Sequence, residues 1–210
     1  MVFGPAGCGK SSLVKRLVEN RFATRASATI GVDFGVWAPP TAAAAATASA
    51  TGAAGRAVRL QFFDLGGADA YLEVRVEFYR AEAGAHGALL CFDASERASF
   101  DALGAWLAEA RAGGLGAAVP TAADAPPAAA PLPPLPPLPV LLCACKTEVR
   151  PRAVPEAEAR AWAERSGLAG YFETSASLGT GQVEVFARLE SLAAERALAA
   201  EAREMRGAVR

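Results

Sequence analysis

The octapeptide Gly4-Pro5-Ala6-Gly7-Cys8-Gly9-Lys10-Ser11 fits the pattern G-x-x-x-x-G-K-[ST]. No other feature restricts the folds open to this chain so tightly. Glycines let successive backbone N–H groups converge on an anion. A helix expected over Ser11–Asn20 aims the positive end of its dipole at the same point. Lys10 is then placed to reach the β- and γ-phosphates of a nucleotide, and the Ser11 hydroxyl to bind Mg²⁺. Lysine usage sharpens the reading. Among 21 basic residues only Lys10, Lys15 and Lys146 are lysines, and a planar guanidinium could not stand in for a compact ammonium inside a phosphate cradle.

Met1, Val2 and Phe3 alone precede the loop, whereas a strand feeding it should be central and about five residues long. The stub implies either a start upstream of Met1 or a weakened central strand, and the upstream start is the expectation. Further strands are expected at Val32–Trp37, Val58–Asp64, Ala88–Asp93, Val140–Ala144 and Gly170–Thr174, which are apolar, mostly β-branched or aromatic runs. Helices are expected between them. Ala98–Arg111 sets Phe100, Leu103, Trp106, Leu107 and Ala110 on one face. Pro155–Ser166 has Pro in its first turn and Gly167 just beyond its last. Gln182–Met205 carries Val183, Phe186, Leu189 and Leu192 on one stripe. Alternating strands and helices give an α/β class. The fold expected is the three-layer P-loop NTPase fold, a mostly parallel sheet with helices on both faces. Ligands of such sheets bind beyond the carboxyl ends of the strands.

Two stretches interrupt the alternation, and without them a single domain over residues 1–210 has an ordinary size. Residues 38–57 are rich in Ala, Thr, Gly and Ser and have no apolar face, which suits a loop. Residues 112–139 end in a proline-rich tract, Pro131–Pro139. That tract reads as a stiff surface loop in extended polyproline form, and an SH3- or WW-type groove is the partner it would fit.

Lys plus Arg number 21 and Asp plus Glu 22, a balance that argues against a nucleic-acid-coating protein. No run approaches the ~18 apolar residues that span a bilayer. Neither a signal peptide nor a lipidation motif is visible. These features favour a cytoplasmic protein without a membrane anchor. Cys8, Cys91, Cys143 and Cys145 read as reduced, buried residues. They lack the ligands for a zinc site, and the one histidine, His86, is remote from them and is expected at the surface or a sheet end.

Thr29-Ile30-Gly31-Val32-Asp33-Phe34, Leu60-Gln61-Phe62-Phe63-Asp64-Leu65-Gly66-Gly67 and Glu173-Thr174-Ser175-Ala176 follow the phosphate loop in order. In this the chain resembles a small GTPase of the Ras superfamily, specifically a Rab-like one, over nearly all of its length outside the inserts. Val74–Tyr79, Ser99–Leu103, Trp106–Glu109 and Trp162–Glu164 are similar to the Rab-like group that elsewhere carries a C-terminal J domain. No His-Pro-Asp motif occurs, so no J domain is expected here.

The resemblance implies GTP/GDP and Mg²⁺ as ligands, and switching in vesicle trafficking or signalling as the role. It implies nucleotide contacts from Gly4, Ala6, Gly7, Cys8, Gly9, Lys10, Ser11 and Ser12. Phe22 would pack edge-on against the base. Ser11, Thr29 and Asp64 would hold Mg²⁺, and the Gly67 N–H would bond the γ-phosphate, so that Lys10, Thr29 and Gly67 serve catalysis. Cys145, Lys146 and Glu148, with Ser175 and the Ala176 N–H, would meet guanine. Phe34, Phe63 and Phe78 resemble the aromatic patch offered to effectors, the plainer alternative being core packing. Thr29 before a strand and Asp64 closing one also suit these roles on placement alone.

Three positions depart from the family pattern. Ala68 stands where the Gln that orients the attacking water is usual, and a methyl group makes no hydrogen bond. Positioning is most of phosphoryl-transfer catalysis, and intact relatives turn over at only ~10⁻⁴ s⁻¹ unaided, so slower intrinsic hydrolysis is expected. Cys145 replaces an amide with a weak hydrogen-bonding group, and Glu148 lengthens the carboxylate that reads guanine. Residues 81–83 look inserted. Two alternatives to the switch stay open: a non-hydrolysing pseudo-GTPase scaffold, and another P-loop class such as a nucleotide kinase or ATPase.

Overall fold

A computed structural model describes residues 1–25, 27–38, 59–80, 84–116 and 137–208. Among the described residues six strands form one sheet: β1 Val2–Phe3, β2 Val32–Trp37, β3 Leu60–Leu65, β4 Ala88–Asp93, β5 Val140–Cys145 and β6 Gly170–Glu173. Their order is β2-β3-β1-β4-β5-β6. Only β2–β3 is antiparallel; the other neighbours run parallel. The helices are α1 Lys10–Glu19, α2 Leu72–Tyr79, α3 Arg97–Asp101, α4 Leu103–Ala112, α5 Glu156–Arg165 and α6 Gln182–Ala208, with a 3₁₀ turn at Asp69–Tyr71.

Alternation along the strands builds the three layers. Side chains successive in a strand point to opposite faces. Leu90 and Phe92 of β4 therefore join Phe100, Leu103, Trp106 and Leu107 in one core, while Leu89 and Cys91 join Leu13, Leu17, Phe186 and Leu189 in the other. All six residues of β4 are buried, as a strand covered on both faces requires. The short β1 lies between β3 and β4, both of its residues fully buried. Cys91 carries the chain past Gly4, where a Cβ would collide with the Cys91 carbonyl oxygen and φ is +135°. Only glycine lets the loop leave β1 so close to the neighbouring strand.

Some expected boundaries move. The Val58–Asp64 strand is observed over Leu60–Leu65, and residue 58 lies outside the described residues. The helix expected over Ala98–Arg111 is two, α3 and α4, meeting at Ala102, whose N–H still reaches the Ala98 oxygen at 3.1 Å. Pro155 caps α5 from outside with extended backbone. In α6 the expected stripe holds at Phe186 and Leu189, which are buried, and at Leu192, which packs against the same core, but not at Val183, which is 57% exposed while Val185 is fully buried. A spacing of three falls short of a 3.6-residue turn, so Val183 falls off the buried face. No element is expected over 72–79, where α2 forms; its alternating Val74-Arg75-Val76 looks strand-like, and packing through Arg75 and Tyr79 decides the matter. His86 is exposed just ahead of β4, as expected.

Residues 39–58 and 117–136 lie outside the described residues, and with them most of both inserts and Pro131–Pro136 of the proline tract. Their junctions are informative. Trp37 and Leu60 pair at one end of the β2–β3 hairpin, and Val140 opens β5 at that same end of the sheet. Among the described residues no helix is long and apolar enough to cross a membrane.

Glu190 on α6 is 2% exposed and its Oε1 has no hydrogen-bond partner. Burial pushes its carboxyl above the ordinary value. A carboxyl raised in the folded state binds its proton more tightly there than when unfolded, so stability falls as pH rises through that interval. Glu190→Met is expected to flatten this part of the stability–pH curve and to raise stability near pH 7 by about 1 kcal/mol; thermal melts between acid and neutral pH test both.

Candidate functional site

The ends of β1, β3, β5 and β6 converge on a cavity of about 550 Å³, within the size range of small-molecule sites. Its floor is Ala6, Gly7 and Gly9 of the loop after β1 and the first turn of α1. That helix has no side-chain cap and no acidic residue in its first turn. The leading N–H groups are therefore left for an anion. Lys10 is 5% exposed, and its Nζ donates to the oxygens of Gly4 at 2.9 Å and Pro5 at 2.8 Å. An ammonium has three donors, so one remains for a ligand in the cavity that Lys10 lines.

Three oxygen groups meet beside it. Ser11 Oγ and Thr29 Oγ1 lie 2.7 Å apart. Thr29 donates to Asp64 Oδ2 at 3.3 Å, and Ser11 donates to the same oxygen. Asp64 is 3% exposed, and its Oδ1 is buried without a partner. Burial pushes the Asp64 carboxyl up, while hydrogen bonds from Ser11 and Thr29 and the Lys10 charge pull it partly back. Two hydroxyls and a carboxylate with an orphaned oxygen form a hard donor set that fits Mg²⁺. Residues 11, 29 and 64 are thus brought together, as their order in the sequence leads one to expect.

The β3 exit closes over the loop. A Cβ on Gly67 would lie 2.7 Å from Ala6 Cα and from the Pro5 carbonyl carbon, so only glycine allows this approach. Gly66 donates to the Gly31 oxygen at 2.7 Å, tying the segments around Thr29 and Gly67 together. Ala68 is exposed. A clasp that sequence reasoning missed holds its main chain. Arg75, 1% exposed, donates to the oxygens of Gly66 at 3.0 Å and Ala68 at 2.7 Å. It also forks onto Glu109 of α4 at 2.8 and 3.0 Å and stacks 4.5 Å over the Trp106 ring. The Tyr79 hydroxyl donates to Glu109 as well, at 3.1 Å.

At the other end of the cavity Phe22 is 38% exposed and lines the wall with Cys145, Lys146, Glu148 and Ala176. Lys146 Nζ pairs with Asp93 Oδ2 at 2.6 Å, and Ser95 holds the other Asp93 oxygen from both its N–H and its hydroxyl. Ser177 donates to Glu148 Oε1, and Glu148 Oε2 is buried without a partner. Burial pushes the Glu148 carboxyl up, but hydrogen bonds from Ser177 and Ser175 outweigh it and hold the carboxyl below its ordinary value. The group is therefore an ionised acceptor in the wall. Asp93 and Ser177 carry no motif of their own in the sequence; only the fold reveals them.

Gly4, Cys8, Asp64 and Ser175 do not line the cavity itself. Cys8 lies beneath the loop, its thiol donating to the Cys91 oxygen at 3.6 Å. Ser175 is 1% exposed, and its Oγ accepts the Leu178 N–H at 3.1 Å, shaping the turn instead. The remaining expected contacts, Ala6, Gly7, Gly9, Lys10, Ser11, Ser12, Thr29 and Gly67 among them, all face it. Outside the cavity Phe34, Phe63 and Phe78 form one run, with ring centroids 5.6 and 5.1 Å apart, and Phe34 is 56% exposed.

Comparison with known proteins identifies relatives of the chain. The family model described as Ras family matches residues 1–115. DnaJ homolog subfamily C member 27 of Homo sapiens is 34% identical over 186 residues, covering 87% of this chain and 56% of that protein. The Bos taurus protein of the same name is 35% identical over the same span and shares. The Danio rerio one is 34% identical over 184 residues, again 87% and 56% of the two chains. The chain thus spans about half the length of the curated relatives it matches.

Proposed function

The chain belongs to the Ras family of small GTPases, and from that premise we propose that it is a Rab-like GTP/GDP switch with slow hydrolysis of its own. The observation that carries the reading is the convergence of Ser11, Thr29 and Asp64 beside the buried Lys10 ammonium. The loop amides and Lys10 bind the β- and γ-phosphates. Ser11, Thr29 and Asp64 hold Mg²⁺, which when bound neutralises charge on the phosphate oxygens. The Gly67 N–H faces the γ-phosphate, and the ionised Glu148 accepts from the N1–H and N2–H groups of guanine. Ala68 offers the attacking water nothing to bond, which is why turnover is slow.

Effector proteins engage the Phe34–Phe63–Phe78 run, in which Phe34 is the exposed member and Phe63 directly precedes Asp64. The protein works in the cytoplasm, in vesicle trafficking or signalling, and Pro131–Pro139 suits an SH3- or WW-type partner.

Calorimetric titration with GTP, GDP and ATP in Mg²⁺ tests this reading. Guanine nucleotides should bind at 1:1 and ATP much more weakly; a preference for ATP, or no purine binding, refutes it. The second reading, a non-hydrolysing scaffold, rests on the side chain of residue 68. Ala68 is exposed and only its main chain is engaged, so a longer side chain fits without disturbing the clasp. Ala68→Gln is expected to raise single-turnover GTP hydrolysis about 10- to 100-fold. An unchanged rate with intact GTP binding favours the scaffold.

A further inference from the structure

Cys143-Ala144-Cys145 is a C-x-C run on β5. The two-residue period of a strand sends both thiols to the same face of the sheet. Cys91 of β4 stands opposite Cys143 in the parallel register, and it joins them on the α1–α6 side. The three sulfurs lie within 4.8 Å of one another. All three cysteines are free, Cys91 and Cys143 are fully buried, and Cys145 is 3% exposed. The sequence alone does not reveal the cluster, because the third thiol comes from a strand some fifty residues away.

We propose that Cys91, Cys143 and Cys145 form a trithiolate site for Cu(I). Soft thiolates select monovalent copper among biological cations. A closed zinc site would require a fourth protein ligand, and among the described residues no further thiol, imidazole or carboxylate joins the group, whereas Cu(I) is satisfied by three thiolates. A metal–sulfur bond of about 2.3 Å sets three trigonal sulfurs about 4 Å apart, so the cluster has to contract by less than ~1 Å. Thr174 supplies an outer hydroxyl. Its Oγ1 lies 3.3 Å from Cys143 Sγ and 3.8 Å from Cys145 Sγ, and it donates to the Ala144 oxygen at 3.1 Å, which leaves its lone pairs towards the thiols and its proton free to turn to a thiolate once metal is bound. Entry is by way of Cys145, which lines the nucleotide cavity. Binding exchanges three S–H bonds for three S–Cu bonds and releases the three protons to solvent, and the copper stays monovalent throughout. The site draws on core thiols and holds whether or not the nucleotide reading does.

The test is anaerobic titration of the full, reduced chain with Cu(I) against bicinchoninate as a chromogenic competitor. The chain should retain one equivalent, with three sulfur neighbours at about 2.3 Å by X-ray absorption. Cys145→Asn should weaken retention at least ~100-fold, as should Cys143→Ser. Cys8→Ser, which leaves the trio intact, should retain the metal. Circular dichroism establishes folding, and if Cys143→Ser does not fold, Cys145→Asn carries the comparison. Loss of copper from the wild-type chain to the competitor overturns the proposal. So does equal retention by Cys145→Asn.

Discussion

Lys10→Ala is expected to weaken GTP binding at least about 100-fold. Its ammonium is 5% exposed, and hydrogen bonds to charged groups contribute about 1.5–3 kcal/mol each. Removing the upper end of that range corresponds to roughly 150-fold in affinity. The full loss should exceed it, because the same group orders the loop through the Gly4 and Pro5 oxygens. Lys10→Arg should fail nearly as badly, since a planar fork does not fit where a compact ammonium does. Lys15→Ala is the control: that side chain is 48% exposed and pairs with Asp33 at 3.7 Å, so affinity should not change. Titration calorimetry in Mg²⁺ reads all three variants. A Lys10→Ala protein that binds GTP within threefold of wild type would mean that the ammonium is a structural strut for the loop and no phosphate ligand.

Arg75→Ala is expected to destabilise the fold by about 3–5 kcal/mol, the range found when one partner of a buried pair is removed. The guanidinium is nearly inaccessible and uses three nitrogens on four acceptors. Its loss strands the oxygens of Gly66 and Ala68, and it leaves Glu109 facing Tyr79 with the Trp106 ring uncovered. For a chain of this length the midpoint of thermal unfolding should fall by roughly 10 °C. Amide exchange should quicken over residues 66–71 before the rest of the sheet loosens. Arg97 provides the contrast, because its pairs with Asp101 and Glu158 are exposed, and Arg97→Ala should cost less than about 1 kcal/mol. Equal losses for the two arginines would show that the clasp does not hold the segment.

The phosphate end of the site is legible in the sequence because its parts are contiguous. Eight successive residues make the loop, and one helix turn completes it. Thr29 and Asp64 can also be read, since one lies in the loop leading into β2 and the other near the end of β3, at strand ends that face the crevice. What escapes the sequence is whatever two distant segments make together. Asp93 steering Lys146, Ser177 bonding Glu148, Arg75 reaching Glu109 and the three converging thiols depend on which strands are neighbours, and periodicity within one strand does not carry that information. The exposure of Val183 at the start of the α6 stripe has a simpler cause, a spacing of three read onto a helix of 3.6. The 72–79 helix hides because its residue types suit a strand until a buried guanidinium and a tyrosine fix one face.

The described residues that border the two compositional expansions, Trp37, Leu60 and Val140, lie at the edge of the sheet opposite the cavity. One expansion is spliced between Trp37 and Leu60 and the other ahead of Val140, and both junctions lie a full strand length from Asp64 and Cys145. Genetic drift in repeat length at those seams can therefore proceed without passing through the catalytic geometry. The same seams offer places to graft an epitope or a fluorophore while the ligand rim stays untouched.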